Sequence, residues 1–359
     1  MRYNKKVMIC SLFIIISITI LIVISSKGTK TFNYKGSTIA LTVDGNSATS
    51  FPASGKYNVT VNCNNAKGRW NPKTWKLEIT KITGTVTCDV SFNSSVTNLT
   101  TQVNNTATRN ENGKRYEGKN PDNYIWFNDE LWRIIGNIPV CLTSGCASTE
   151  NRVKIIRNDS IGAIKYDESS STWMGSNIQN LLNTCYLGKQ SSCDSYCYSN
   201  STTAKGTCDY SADGIDVNDY YGKMVEDVYF NVGAGDSTYK TAANYYTQEI
   251  ATHATSTSKI GLMYASDWGY AIEGFTGVLD YDESIQNSSD KNWLFSNGYE
   301  WTMSAYSSSY PLNVADGNYL YGLYNVSSGY AARPVLYLKS NVYVVSGTGS
   351  KVDPYRIGM

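Results

Sequence analysis

The chain has 359 residues, 31 basic against 30 acidic side chains, only 17% charged residues, and 29 tyrosines. That length accommodates one large domain or two. Setting apart Arg2, Lys5 and Lys6 leaves 28 bases against 30 acids, with no basic stripe, which argues against a nucleic-acid partner. A single histidine, His253, argues against a zinc centre built on imidazoles.

Residues 1–6 carry those three bases and precede an uncharged apolar run from Val7 to Ile24. At 1.5 Å per residue this run would span about 27 Å, close to a bilayer's hydrocarbon core. It is longer than the apolar core of a signal peptide. We therefore expect an uncleaved transmembrane anchor at residues 7–24, with the N-terminus cytoplasmic and the bulk of the chain outside. Cleavage after the run is the rival reading. Nine cysteines are present, and setting aside Cys10 in the anchor leaves an even eight. In an exported chain that parity favours disulfides.

Residues 25–36 read as a linker. From 37 to 93 the pattern is β: Thr38–Val43, Tyr57–Cys63, Trp75–Ile79 and Thr85–Val90 alternate apolar and polar residues, as half-buried strands do. Cys63 and Cys88 fall on two of these strands. A bridge between them is expected to pin a small β-sandwich. Residues 94–120 are rich in Asn, Thr and Ser and read as a flexible polar spacer.

A second, α+β domain is expected over 121–359. Tyr124–Phe127 and Leu131–Ile135 form a hairpin around Asn128-Asp129-Glu130. Cys141 and Cys146 suit a local bridge, and Val153–Ile156 is a further strand. Ser176 and Gln179 have capping-box spacing and open a helix to about Leu187. Cys185, Cys193, Cys197 and Cys208 define a Cys-rich insertion over 185–208; two disulfides are expected there, with three pairings open. A short helix is expected around Met224–Val228 and a strand at Ile260–Tyr264, and β structure returns over the last hundred residues.

Two stretches resemble a known family. One is Lys259–Ala271, KIGLMYASDWGYA. The other runs from Tyr299-Glu300-Trp301-Thr302-Met303-Ser304 to Tyr330-Ala331-Ala332-Arg333-Pro334-Val335-Leu336-Tyr337-Leu338-Lys339. Together with the Trp126–Ile135 hairpin and the Ser346–Tyr355 tail, they resemble bacterial membrane-anchored surface proteins with a formylglycine-generating-enzyme-like, C-type-lectin-like domain. The resemblance implies a loop-rich α+β domain over about 121–359. It would also imply a reactive cysteine pair late in the domain, yet no cysteine follows Cys208, which argues against that oxidation chemistry. Read as residues, Trp132, Trp301, Arg333 and Pro334 are expected to determine the fold. Arg333 can satisfy a carboxylate or several carbonyls, and Pro334 can open a strand where no amide donor is needed.

The candidate chemistry is thin. A triad around His253 lacks a nucleophile elbow. Asp280, Asp282 and Glu283 share one loop and read as a solvated turn. Asp209, Asp213 and Asp216 echo half of a calcium loop, but Tyr220 stands where the closing Glu belongs; calcium is the one cofactor considered, and otherwise none is expected. Trp268, Tyr270, Tyr306, Tyr310, Tyr319, Tyr321 and Tyr324 are candidate ligand-stacking residues, with Tyr306 and Tyr310 in a serine loop as the exposed pair. The expectation is a non-catalytic surface protein for recognition or adhesion, with an extracellular glycan or protein as ligand. A structural envelope protein and a degenerate enzyme are the alternatives.

Overall fold

The computed structural model describes residues 31–198, 204–233, 237–251, 255–280, 285, 289–296, 298–307, 309–315 and 319–359. The expected anchor at 7–24, His253, Asp282 and Glu283 lie outside the described residues. Among those described, no helix is long and apolar enough to cross a membrane. The architecture is mixed α+β and mostly sheet. Contacts divide the chain at Val96/Thr97 into two units.

The first unit holds β1 (Thr31–Tyr34), β2 (Ser37–Val43), β3 (Asn46–Ser47), β4 (Tyr57–Cys63), β5 (Lys67–Asn71), β6 (Lys76–Thr80) and β7 (Thr87–Ser94). Its main sheet runs β1-β2-β7-β4, with β3 on β2, and β5-β6 is a separate hairpin. Strand β7 shows why the sheet has a dry face: Cys88, Val90 and Phe92 are buried, while Thr87, Asp89 and Asn93 are exposed and Ser91 is half-buried, the period-2 pattern of a strand. The hairpin contributes Trp70 and Leu77 to the same core. Trp70 meets Phe92 edge-on at 4.7 Å, a favoured aromatic geometry. Asn71 Oδ1 accepts the amides of Lys73 and Thr74 and so closes the hairpin turn. Cys63 and Cys88 sit opposite each other on β4 and β7 and are bridged, with Cα atoms 4.0 Å apart. Strands β1, β3 and β5 are additions to the four strands expected from sequence, and β1 falls within the expected linker at 25–36.

The second unit opens with β8 (Thr97–Asn98), α1 (Leu99–Thr106), β9 (Arg109–Asn110) and β10 (Lys114–Arg115). The expectation of a flexible spacer at 94–120 is therefore corrected. Asn98 Oδ1 caps α1 by accepting the Thr100 amide, and Leu99 and Val103, one turn apart, are buried. Two apolar residues on one helix face suffice to dock a segment whose composition is otherwise polar.

Next come β11 (Tyr124–Phe127), β12 (Glu130–Cys141), β13 (Thr149–Arg157) and β14 (Ala163–Lys165). The Cys141–Cys146 bridge closes the turn between β12 and β13. Ser176 Oγ accepts the Gln179 amide and opens α2 (Asn177–Asn180), which continues as π and 3-10 turns to Gly188. Strands β15 (Cys193–Tyr198), β16 (Ala204–Cys208), β17 (Val228–Asn231) and β18 (Thr255–Ser258) follow, with α3 (Ala242–Ala251) between the last two and α4 (Ala265–Tyr270) after them. The chain closes with β19 (Glu300–Ala305), β20 (Pro311–Ala315), β21 (Tyr319–Tyr321), β22 (Gly329–Ala331), β23 (Val335–Leu338), β24 (Tyr343–Ser346) and β25 (Tyr355–Gly358).

Two element expectations change. Residues 222–224 form one 3-10 turn and Val228 begins β17, so there is no helix at 224–228. Ile260–Tyr264 makes only an isolated bridge, Gly261 to Val335, before α4 begins.

One sheet has the path β18-β17-β12-β11-β25-β24-β8, with β13, β23, β10 and β9 joined beside it; the other runs β16-β15-β14-β22-β19-β20-β21. Their shared core includes the fully buried Trp132, Trp268 and Trp301. Trp132 donates to Glu130 and Trp301 to the Ile164 carbonyl. Buried Arg333 grips buried Glu300 with Nε and Nη2, at 2.6 and 2.9 Å. Pro334 precedes β23 directly.

Candidate recognition surface

Strands β19, β20, β21 and β22 lie side by side, β22 parallel to β19 and the others antiparallel. Side chains alternate across them. Tyr299, Trp301 and Tyr330 fall on one face, with the rings of Trp301 and Tyr330 4.7 Å apart; Glu300, Ala331 and Arg333 fall on the other. On the aromatic face tyrosines accumulate outward from buried Trp301. Tyr299 lies 5.1 Å from Tyr330 and 4.9 Å from Tyr324, and the Tyr324 hydroxyl donates to that of Tyr299 at 3.0 Å. Tyr321 continues the row at 4.8 Å from Tyr324, and Tyr319 at 6.4 Å from Tyr321. Tyr330 is buried, whereas Tyr299, Tyr319, Tyr321 and Tyr324 are half-buried. Beside them Leu323 is 54% exposed. Burial holds the Tyr330 phenol above its ordinary range, so its ring stays neutral.

Such a row combines rigid apolar area with polar edges, at small entropic cost on contact. The packing of each ring on the next fixes the rotamers in advance. Tyr306 is held differently. It lies between Tyr239, at 5.3 Å, and the backbone of Gly322, where an added Cβ would strike the ring. The Gly322 amide donates to the Tyr239 hydroxyl at 3.3 Å. Tyr310 is 39% exposed, and its carbonyl accepts the amides of Tyr306 and Ser307.

Thus Tyr306, Tyr310 and Tyr321 lie on or near one surface of β19–β21. Trp268 and Tyr270, expected to stack on a ligand, do not: they are 0% and 1% exposed. Both belong to α4, whose six residues are all buried. The sequence reading places a strand at Ile260–Tyr264 and no helix after it. Tyr319 and Tyr324, candidates as well, do lie on that surface, and Tyr299 joins them. Their spacing on β21 and the following loop was visible in the sequence, but which face they share depends on the parallel β19–β22 pair.

The expected calcium residues also separate. Asp209 Oδ1 accepts from the Ser211 amide and hydroxyl, Asp213 Oδ2 pairs with Arg157 at 3.3 Å, and Asp216 Oδ1 accepts the Asn218 amide. Each carboxylate serves its own turn or ion pair. Among the described residues no group of three or more His, Cys, Asp or Glu side chains could hold a metal ion. In the Cys-rich insertion the pairs are Cys185–Cys193 and Cys197–Cys208. Asp280 is described, whereas Asp282 and Glu283 of its loop lie outside the described residues.

A charged cluster that sequence reading missed lies under α4. Asp267 Oδ1 accepts from Arg115 at 2.7 Å, and Oδ2 accepts from Lys154 at 2.5 Å and from the Tyr264 amide at 2.9 Å. Arg115, Lys154 and Asp267 are all essentially inaccessible. Nearby, Glu249 accepts from Ser266 Oγ at 2.5 Å and Ser304 Oγ at 2.7 Å. Burial would raise the Asp267 carboxyl, but Lys154 and Arg115 outweigh it and hold it below the usual carboxylate range. Burial pulls Lys154 down despite Asp267, and burial pushes Glu249 up despite its serine donors. Perturbed groups in this pattern are a signature of catalytic sites. The free space beside these groups is small. The cavity bounded by Arg115, Lys154, Glu249 and Asp267 has about 20 Å³ free, which is room for a water and not for a substrate.

Comparison with protein-family models, with curated proteins and with solved structures finds no match.

Proposed function

We propose that this chain is a single-pass surface protein, anchored through residues 7–24, whose second unit is a C-type-lectin-like domain that binds an extracellular glycan or protein without catalysing a reaction. The row Tyr319-Tyr321-Tyr324-Tyr299, half-buried and pre-packed, carries this reading. A set of rings held edge-to-face or tilted against each other offers a ligand fixed apolar faces and edges beside phenol hydroxyls, which suits a sugar ring or a peptide strand alike. Four disulfides bracing the two units support an oxidising compartment. The water-sized space at the buried charges supports recognition over catalysis.

The test is a binding screen with full-length, oxidised protein in detergent, against a glycan array and a panel of cell surfaces, with and without calcium. Saturable binding is expected in both conditions, weakened about tenfold or more by Tyr321→Ala or Tyr310→Ala if these rings are anchors. No saturable binding by folded, disulfide-bonded protein contradicts the proposal. So does binding that both substitutions leave unchanged.

A further inference from the structure

On the opposite face of β19 and β22 from the tyrosine row lies a second cavity, of about 350 Å³, lined among others by Arg133, Arg333, Glu300, Trp293 and Asp159. Its buried charges do not balance: Arg133 and Arg333 are buried with one buried carboxylate, Glu300, while the second carboxylate, Asp159, is exposed. Arg333 spends Nε and Nη2 on Glu300 and the Leu294 carbonyl. Its Nη1 has no partner among the described residues and is not sealed from solvent. Arg133, only 5% exposed, pairs with no carboxylate among the described residues. Its Nε and Nη2 donate to Asn123 Oδ1 at 2.9 and 2.7 Å, and Nη1 donates to the Trp293 carbonyl at 3.2 Å. Its guanidinium lies against the rings of Tyr124 and Trp293, 4.2 and 4.5 Å from their centroids. Burial, and then the like charge of Arg333, pull Arg133 down to about 10 despite nearby Tyr124, so it remains a cation at neutral pH. Glu300 thus serves Arg333, and the buried guanidinium of Arg133 is left without an ion pair among the described residues; the exposed Asp159 is the other carboxylate of the wall.

Burying an unpaired cation is costly unless something neutral or anionic compensates it. Here the compensation inside the fold is an amide, carbonyls and π faces, all uncharged. A planar guanidinium with a free edge matches a carboxylate. The volume falls in the range of small-molecule sites, and Trp293 with Phe295 supplies an apolar wall. We propose that this cavity binds a small organic acid, its carboxylate set against Arg333 and Arg133 and its apolar part against Trp293 and Phe295. This goes beyond the recognition face and does not depend on it. Asp159 is exposed at the cavity and accepts from Asn158 at 3.0 Å. Its charge opposes an anionic ligand and makes it a useful lever.

The probe is 4-fluorobenzoate, followed by ¹⁹F NMR linewidth on the full-length protein, with 4-fluorobenzamide as the neutral control. Saturable broadening is expected for the benzoate and not for the benzamide. Arg133→Gln should weaken benzoate binding at least tenfold. Asp159→Asn should tighten it about two- to fivefold, the scale of one screened surface charge, and less so in high salt. Equal behaviour of benzoate and benzamide, or binding by neither, overturns the proposal. So does unchanged binding in folded Arg133→Gln. Should that variant fail to fold, Asp159→Asn decides alone, and an unchanged affinity there overturns the proposal.

Discussion

Asp267 joins three parts of the second unit. It is the third residue of α4, it accepts the Tyr264 amide at the helix start, and it neutralises Lys154 of β13 and Arg115 of β10. Replacing it by Asn keeps the shape but strands two buried cations. Asp267→Asn should therefore destabilise the unit by about 3–5 kcal/mol, read from the midpoint of a denaturant titration. Adding Lys154→Met should recover part of the loss; a cost under about 1 kcal/mol for the single variant would mean the cluster is solvated.

Glu249 differs in sign. Its folded-state carboxyl is raised above the ordinary 4.5, so the folded protein holds this proton more tightly than the unfolded chain. That contribution is complete below 4.5 and is lost as pH rises through the raised value. Asp267 is depressed below 3.8, and its contribution is complete above that value and lost as pH falls through the folded one. Glu249→Gln removes the first titration alone. The stability of wild type relative to Glu249→Gln should fall as pH rises from 4.5 toward neutrality and beyond. Parallel pH–stability curves for the two proteins would contradict the burial argument.

At the scale of elements, β12 carries an irregularity. Its register against β13 shifts between Ile134 and Gly136, and Gly136 also faces Arg115 on β10. A Cβ at 136 would strike the Lys114 carbonyl, so β10 can approach only because this residue is glycine. Gly136→Ala should cost about 1–3 kcal/mol through overpacking, measured by thermal unfolding; a neutral effect would mean β10 is loosely held.

The same scale shows where sequence reading worked. Strands β2 and β4 were legible because period-2 alternation is a local property, and β11 and β12 because two apolar runs flank the Asn128-Asp129-Glu130 turn. The Ser176 cap was legible because a hydroxyl three residues before an amide donor's partner has one simple use. Its partner was only half right. Gln179 turns its side chain to the Gly175 amide, Ser256 and Ser258 rather than back to Ser176. Helix α4 was not legible, since ASDWGY has no amphipathic stripe and is buried all round. Nor was α1, whose two buried residues stand in a run of Asn and Thr. The tyrosine row escaped in part because its members sit on three segments, brought together only when β22 pairs parallel to β19. The ion cluster joins residues 115, 154 and 267, and no local pattern connects them.

For the whole molecule, the disulfides weigh most in the first unit. Its core comprises only Ile39, Leu41, Trp70, Leu77, Val86, Cys88, Val90 and Phe92 among fully buried apolar residues described. A core that small leaves little margin. The Cys63–Cys88 bridge closes a separation of 25 residues, worth about 3 kcal/mol in the chain-entropy account. Replacing both cysteines by serine should make the first unit the earlier of two thermal transitions, or unfold it outright at 37 °C. A single unchanged transition would mean that the bridge is dispensable.

The claim on which the functional account rests is that this chain works outside the cell, in an oxidising medium, behind its own anchor. The direct measurement is labelling of intact cells that express the protein, with a membrane-impermeant lysine reagent, followed by a count of free thiols in the recovered chain. The account predicts labelling without lysis and eight of the nine cysteines unreactive until reduction. Labelling only after lysis, with those cysteines free, would contradict it.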